Sequence, residues 1–240
     1  MADAKFNQRL VRTALHPDPF LTRYRARLWG TAMTIIVHHL ENSRSQRILW
    51  MLEELGLPYE VKRYKRDPKT MLAPRELRAV HPLGKSPVIE DDGLVIAETG
   101  AIIEYLVGKG DGRLGPPAHR EAMQRWRFWL HYAEGSLMPP LFVTLVLSRI
   151  PVMGKVAMKR FQPMVDRHLD YVESELARSP WFAGEQMTAA DIIMSFPLEA
   201  ARSRAGLDER RPATIAWLER IHARPTYQAA LAKGGPYAYA

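Results

Sequence analysis

The segment from His81 to Leu106 constrains the fold of this chain more than any other stretch of the sequence. Residues 87–90 are mostly apolar and predict a short strand, residues 91–93 (Asp-Asp-Gly) suit a tight turn, and residues 94–96 predict the returning strand. A helix is then expected to open at Thr99, its predicted N-cap. The apolar residues of that helix recur at helical spacing, at Ile102, Ile103 and Leu106. The segment therefore predicts a β-hairpin followed by a helix.

The preceding residues supply the elements that complete this unit. Residues 34–40 alternate loosely as a strand, residues 45–56 show helical spacing and a closing glycine, and residues 59–64 predict a second strand. A short helix is expected at residues 74–80. The resulting order, β-α-β-α-β-β-α, is that of an α/β thioredoxin-like domain with a small mixed sheet and a right-handed β-α-β crossover.

The composition is that of a soluble globular protein. The chain has 240 residues, of which 47% are hydrophobic and 25% are charged. The longest apolar run, residues 137–147, contains two prolines and is shorter than the roughly 18 residues that a membrane-spanning helix needs. We therefore expect no transmembrane segment and no membrane partner.

The absence of cysteine and the positive charge limit the chemistry further. Without cysteine there are no disulfides, no thiolate metal sites and no redox chemistry on a thiol of the chain itself. A thioredoxin-like domain of this kind has to act on a thiol that another molecule supplies. About half of the net charge of +8 comes from residues 1–32, which contain six basic and two acidic residues. The remainder is mildly basic, which favours an acidic small substrate over nucleic acid.

Separated motifs, in the right order, carry a family resemblance. Residues 83–88 (Leu-Gly-Lys-Ser-Pro-Val), followed by residues 98–102 (Glu-Thr-Gly-Ala-Ile), resemble the glutathione-site signature of the soluble glutathione transferases. Residues 40–47 resemble the serine-type version of that family's first strand-helix turn. Thr188 and Asp191 form a capping box that resembles the hallmark of the family's second domain, and we expect its role to be structural.

The resemblance implies a particular domain organisation. Residues 33–110 are expected to form the thioredoxin-like, glutathione-binding domain, residues 111–117 a linker, and residues 118–240 an all-helical C-terminal domain. Residues 1–32 form an extension that we expect to be poorly ordered; from the sequence, it is a genuine extension, a targeting segment or an artefact of the start site. The location expected from the resemblance is cytoplasmic.

Glutathione has two carboxylates, one ammonium and one thiol, and the resemblance assigns a residue to each group except the thiol. Thr99 and the first amides of its helix would hold the γ-glutamyl carboxylate, and Glu98 would pair with the neighbouring ammonium. Lys85 would neutralise the glycyl carboxylate. Ser86 and Pro87 would be joined by a cis peptide bond that presents the backbone of Ser86 to the cysteinyl moiety.

Activation of the thiol is assigned to the turn at residues 42–45. A hydroxyl that donates to sulfur near a helix N-terminus favours the thiolate over the thiol. Ser43 is the preferred candidate, Asn42 is an alternative, and Ser45 is an alternative that the pattern otherwise favours as a helix cap. The hydroxyl would stabilise charge on sulfur and would not itself act as a nucleophile.

The function implied is attack of the glutathione thiolate on an apolar electrophile. Isomerisation, dehalogenation, or reduction of a peroxide or disulfide at the same site is one alternative, and a non-catalytic interaction module on the same fold is another. We expect glutathione as co-substrate, no metal, and a homodimer. The sequence does not identify the physiological electrophile. Its pocket is predicted to be lined by Trp129, Tyr132, Met138, Leu141 and Phe142.

Overall fold

The computed structural model describes residues 34–239, so the extension expected at residues 1–32 lies outside the described residues. A four-stranded sheet has the order β2-β1-β3-β4. Strand β1 (Ile35–Leu40) pairs in parallel with β2 (Tyr59–Tyr64) and antiparallel with β3 (Val88–Asp91), and β4 (Leu94–Ala97) pairs antiparallel with β3. The mixed sheet predicted from the order of elements is confirmed.

The hairpin between β3 and β4 closes as its sequence predicts. Asp91 faces Leu94 in the register, and the two residues between them, Asp92 and Gly93, have φ of 50° and 78°. Positive φ at both central positions defines a turn whose twist matches the flanking strands, and Asp-Gly is a preferred pair for it. This turn fixes the register of β4.

Three helices complete the first part of the chain: α1 (Gln46–Leu55), α2 (Glu76–Val80) and α3 (Thr99–Lys109). Helix α1 ends at Gly56, which has φ of 60° and donates its N–H to the carbonyls of Glu53 and Leu52. A glycine reaches this left-handed conformation without the steric cost of a Cβ atom. The closing glycine predicted for α1 is therefore confirmed.

The second part of the described chain is helical. A π-helical turn, Ala133–Leu137, joins the first two of its helices, α4 (Arg120–Tyr132) and α5 (Met138–Ser148), without a loop between them. Pro139 and Pro140 directly follow this π-helical turn, so their missing N–H groups fall where the helical hydrogen-bond pattern changes from π to α. The helices are α4 (Arg120–Tyr132), α5 (Met138–Ser148), α6 (Met153–Leu176), α7 (Ala189–Arg204), α8 (Pro212–His222) and α9 (Pro225–Gly234).

Helix α6 is longer than the sequence pattern predicts. The spacing of apolar residues predicts an amphipathic helix over residues 161–177, whereas α6 begins at Met153. The additional residues include Met153 and Val156, which are exposed, so they do not form the buried stripe by which an amphipathic helix is recognised. No helix of residues 34–239 is both long and apolar enough to cross a membrane.

One hydrophobic core runs through the sheet and the helical part, and α7 lies at its centre. The capping box at the start of α7 is confirmed: Thr188 Oγ1 accepts the N–H of Ala190 at 3.3 Å, and Asp191 Oδ2 accepts the N–H of Thr188 at 2.9 Å. The Asp191 carboxylate also accepts from the Phe182 N–H and the Trp217 indole. Burial raises the pKa of Asp191 to about 6, against the effect of these donors.

Candidate functional site

The turn between β1 and α1 carries the candidate thiol-activating residues. Asn42 has φ of 50°, which reverses the chain after β1 and turns the following residues inward. Ser43 is buried, and its Oγ lies 2.8 Å from Ser45 Oγ and accepts the Ser45 N–H at 3.2 Å. The side chain of Ser45 thus contacts that of Ser43 instead of capping α1, although Ser45 occupies the N-cap position. The helix-cap expectation for the Ser45 side chain is wrong.

Behind Ser45 lies a histidine that the sequence analysis did not assign to the site. Ser45 Oγ is 2.9 Å from Nδ1 of His39, which is buried at the end of β1. Desolvation, helped by the positive charge of Arg63, lowers the pKa of His39 to about 4, although a hydrogen bond with the Gly234 backbone opposes the shift. The imidazole is therefore neutral near pH 7, with one nitrogen available as an acceptor. The two hydroxyls and the imidazole form a continuous chain.

Asn42 is engaged by the C-terminal segment. Its Oδ1 accepts the N–H of Ala238 at 2.8 Å, and its backbone carbonyl accepts from Arg66 at 3.3 Å. Tyr237, next to Ala238, donates its hydroxyl to the buried Glu199. The Asn42 side chain therefore holds the end of the chain against the turn, whereas the Ser43 hydroxyl belongs to the turn itself.

Ser86 lies beside the end of β1. The Ser86–Pro87 peptide bond is cis, and Ser86 Oγ donates to the His38 carbonyl at 2.7 Å and accepts the Leu40 N–H at 3.3 Å. The side chain of Ser86 is thus used to extend the contact between β1 and β3, whose paired residues begin at Val88. Lys85, just before it, is exposed.

The start of α3 departs from the expected capping. Glu98, not Thr99, occupies the N-cap position, and Thr99 is the first residue of the helix, so the prediction of Thr99 as N-cap is wrong. Glu98 has φ of 70° and ψ of 126° and is exposed. A non-glycine residue at positive φ is strained, and such strain is concentrated at functional sites. Here it places a carboxylate in solvent beside the free amides of a helix N-terminus.

A buried arginine ties these elements to the helical part. Arg47 Nη2 donates to Thr99 Oγ1 at 3.2 Å and to Glu134 Oε1 at 2.5 Å, and its Nη1 donates to the Ile193 carbonyl at 2.5 Å. Arg44 contacts the same carboxylate at 2.9 Å. Burial would raise the pKa of Glu134, but the two guanidinium groups hold it below its ordinary value. Glu134 thus stays charged and bridges the first helix to the second domain.

The residues predicted to line an electrophile pocket do not share one surface. Trp129, Tyr132, Met138 and Leu141 are buried in the hydrophobic core, whereas Phe142 is 57% exposed. The Tyr132 hydroxyl lies 2.6 Å from His168 Nδ1. Helix α4 is covered on more than one side, so its aromatic residues belong to the packing between helices. Phe142 is the member of this set that faces solvent.

Metal ligands are not assembled in this region. Within residues 34–239 no group of three or more His, Cys, Asp or Glu side chains is placed to hold a metal ion. The polar groups that the site does present are hydroxyls, backbone amides, one lysine and one exposed carboxylate. That set suits a zwitterionic ligand that carries both carboxylates and an ammonium.

The chain is similar to known proteins along most of its length. Residues 43–108 match the family model for the N-terminal domain of glutathione S-transferase, and residues 155–220 match the model for its C-terminal domain. Glutathione S-transferase 3 of Schizosaccharomyces pombe is 37% identical over 214 residues, which cover 83% of this chain and 87% of the relative.

Two solved structures are also similar. A glutathione S-transferase from Actinobacillus pleuropneumoniae has a TM-score of 0.76 and 37% identity, covering 84% of this chain and 93% of that one. A glutathione transferase family member from Pseudomonas fluorescens, solved with two glutathione bound, has a TM-score of 0.70 and 25% identity, covering 86% and 97%. The chain therefore belongs to the glutathione S-transferase family and is a glutathione transferase.

Proposed function

We propose that glutathione binds at one end of the sheet, where β1 ends and β3 begins. The site lies between the turn at residues 42–45, the Ser86–Pro87 peptide and the start of α3. The observation that carries this proposal is the strained N-cap Glu98, which stands exposed beside the N-terminus of α3. Ser86 contacts the end of β1, and the turn that follows β1 contains Ser43. Arg47 connects that turn's helix to Thr99. These contacts support a site at this end of the sheet that combines the turn, the Ser86–Pro87 peptide and the start of α3.

Each end of the glutathione molecule has a chemically suitable partner there. Glu98 pairs with the γ-glutamyl ammonium, while Thr99 and the first amides of α3 bind the adjacent carboxylate, which the helix dipole also stabilises. Because Thr99 Oγ1 already accepts from Arg47, its own proton remains available to donate to a carboxylate. Lys85 pairs with the glycyl carboxylate, and the backbone of Ser86 and Pro87 contacts the cysteinyl residue.

In the proposed mechanism the Ser43 hydroxyl donates to the cysteinyl sulfur and stabilises the thiolate. The thiol gives up its proton to solvent, and the thiolate attacks an electrophilic carbon of an apolar molecule, so that a carbon–sulfur bond forms. With an aryl halide, the halide leaves with its electron pair; with an α,β-unsaturated carbonyl compound, the π electrons move onto the carbonyl oxygen and a proton is taken up from solvent. Ser45 and His39 act as positioning residues, because Ser45 holds Ser43 through both its N–H and its hydroxyl while His39 holds Ser45. Phe142 supports an apolar pocket on the side of α5.

We further propose that the chain works as a homodimer in the cytoplasm, in detoxification of electrophiles. Exposed apolar side chains occur in both domains, Leu94 and Val95 on β4 and Phe128 and Tyr171 on α4 and α6. A symmetric contact that pairs one set with the other would cover both. A reducing cytoplasm keeps glutathione in the thiol form that the reaction requires.

The experiment that tests the proposed function is a conjugation assay with an aryl halide and with an α,β-unsaturated carbonyl compound. The purified chain should conjugate glutathione to at least one of them with saturation in glutathione, and Ser43→Ala should lose most of the turnover. Turnover of a peroxide or a mixed disulfide without conjugation of either electrophile would favour the reductase alternative.

A further inference from the structure

The turn between α5 and α6 exposes an unusual amount of apolar surface. Six side chains within residues 142–156 are between 44% and 73% exposed, and we call this set the α5–α6 tip: Phe142, Val146, Ile150, Val152, Met153 and Val156. Phe142 and Val146 are four residues apart on α5 and so lie on one face of that helix, and Ile150 follows just after its end. Isolated exposed apolar residues are ordinary on a protein surface, but a contiguous group indicates a contact.

Basic residues surround these apolar side chains. Between Glu134 and Asp166 the sequence contains no acidic residue, whereas it contains Arg149, Lys155, Lys159 and Arg160. All four of these basic residues are exposed. The stretch therefore combines exposed apolar groups with a local charge of one sign, and the basic residues both precede and follow the most exposed apolar ones.

The backbone holds the tip in a defined conformation. Val152 has φ of 57° and ψ of −70°, and the N–H of Met153 donates to the Pro151 carbonyl at 2.6 Å, which is a γ-turn of the strained kind. A Cβ at Gly154 would lie 2.1 Å from the Leu147 carbonyl oxygen, so α6 begins tightly against the end of α5. The tight turn leaves Val152, a β-branched residue at positive φ, as the most exposed apolar side chain of the set.

We propose that the α5–α6 tip binds the surface of an anionic lipid bilayer. The exposed valine, isoleucine and methionine side chains would enter the interfacial region, and the surrounding lysine and arginine side chains would meet lipid phosphates. Apolar insertion combined with basic charge is the pattern by which peripheral elements bind anionic membranes. The contact is peripheral, and it departs from the expectation, drawn from the sequence, of no membrane partner.

Charge and shape favour a bilayer over a second copy of the chain. A symmetric contact through the tip would place the same four positive charges against one another. The tip is a helix–helix turn whose exposed apolar side chains suit a surface that can deform around them. Binding there would bring α5, on which Phe142 lies, close to apolar electrophiles dissolved in the bilayer; that benefit rests on the proposed function, whereas lipid binding itself does not.

Vesicle co-sedimentation of the full chain tests the proposal. The vesicles contain phosphatidylcholine alone or a mixture with phosphatidylglycerol, at low and at physiological salt. We expect binding to the mixed vesicles that weakens with salt, and a partition coefficient about tenfold lower for the double variant Val152→Ser/Met153→Ser. Lys155→Gln/Lys159→Gln should also weaken binding to the mixed vesicles.

Matched controls separate the tip from other surfaces. Leu72→Ser removes an apolar side chain that is 65% exposed in another part of the chain, and Lys69→Gln removes an exposed basic one; both should bind as the unchanged protein does. A cooperative urea unfolding transition of Val152→Ser/Met153→Ser shows that this variant is folded. The vesicle assay requires no glutathione, so the test is independent of the proposed function.

Four outcomes would overturn the proposal. Two concern the unchanged protein: it binds neither type of vesicle, or it binds neutral and anionic vesicles equally. Two concern the double variant: it binds as well as the unchanged protein, or its oligomeric state changes. Full binding by the variant would move the contact to another basic region, and a changed oligomeric state, measured by light scattering, would make the tip a contact between copies.

Discussion

Ser45 Oγ lies 2.9 Å from Nδ1 of His39, and both residues are buried. The contact connects the turn that carries Ser43 to the end of β1, so the orientation of the Ser43 hydroxyl is fixed from inside the domain. Because burial keeps His39 neutral, its contact with Ser45 adds no positive charge to the core. Ser43 is therefore the solvent-side end of a chain of polar groups, not an isolated serine on a loop.

Replacement of the proposed thiolate donor should affect turnover more than binding. We expect Ser43→Ala to lower kcat by about 10- to 100-fold while KM for glutathione changes little, because the hydroxyl acts mainly on the charged sulfur. Steady-state kinetics with an aryl halide measure both parameters, and Ser174→Ala, at a half-buried serine on α6, is the matched control. Unchanged kcat would move the role to Asn42, to Ser45 or to backbone amides.

The positioning role of Ser45 and His39 predicts a smaller effect of a different kind. Ser45→Ala and His39→Gln should lower kcat severalfold and raise the pKa of the thiol of bound glutathione, because a loosely held Ser43 stabilises the thiolate less well. Ultraviolet absorption of the thiolate as a function of pH measures that pKa. A fall in stability without any change in the thiol pKa would show that the two residues serve only the fold.

The pH dependence of stability should reveal the buried His39. Between its folded pKa of about 4 and its ordinary value of 6.5, the unfolded state binds the proton more readily, so stability rises with pH in that window. The contribution is complete above 6.5 and is lost as the pH falls toward 4, by up to about 3 kcal/mol. Asp191, whose pKa is raised to about 6 from 3.8, opposes this, because its contribution falls as the pH rises.

Since the two groups oppose each other over nearly the same range, the unchanged protein alone does not separate them. Urea unfolding of the unchanged protein and of His39→Gln at a series of pH values isolates the histidine. The difference in unfolding free energy between the two proteins should shrink as the pH falls from 6.5 toward 4. A difference that is constant with pH would contradict a neutral, buried imidazole.

The arginine bridge to Glu134 predicts unequal effects of two neighbouring substitutions. Arg47 is 1% exposed, whereas Arg44 is 36% exposed, and both contact Glu134. Arg47→Met leaves the partly buried Glu134 carboxylate with Arg44 as its remaining cation and removes the Arg47 donor of the Ile193 carbonyl, and it should cost about 3–5 kcal/mol of unfolding free energy. Arg44→Met, the control, should cost about 1 kcal/mol or less. Chemical denaturation measures both, and equal losses would contradict the structural role of Arg47.

Local patterns were sufficient to predict most of the secondary structure. The predicted strand at residues 59–64 coincides with β2, the Asp-Gly turn closes the predicted hairpin, and the Thr188–Asp191 box caps α7. Each of these depends on residues close in sequence, where turn chemistry and periodicity act directly. The family motifs indicated, in addition, the end of the sheet at which glutathione is proposed to bind.

Contacts between distant residues could not be predicted in the same way. Glu134 and Arg47 form an ion pair although they are 87 positions apart in the sequence. Glu134 lies in a π-helical turn, which no residue type in the sequence predicts. His39 lies near the end of the strand predicted over residues 34–40, and the sequence pattern, which favours Ser45 as a helix cap, does not indicate that the two side chains are in contact. The aromatic-rich sequence of α4 is equally compatible with a pocket wall and with a buried helix. In the structure, α4 packs against α6 and α7, so its aromatic residues lie in the core.

Calorimetric titration of glutathione into the full chain, in parallel with Glu98→Ala, tests the central claim most directly. Glu104→Ala is the control, since Glu104 is an exposed glutamate on the same helix, α3. We expect saturable binding by the unchanged protein and by Glu104→Ala, and loss of about tenfold or more in affinity for Glu98→Ala, because the ammonium of glutathione loses its partner. Equal affinity of all three proteins would contradict the proposed site at the start of α3, and absence of binding by the folded, unchanged protein would contradict the proposed glutathione site as a whole.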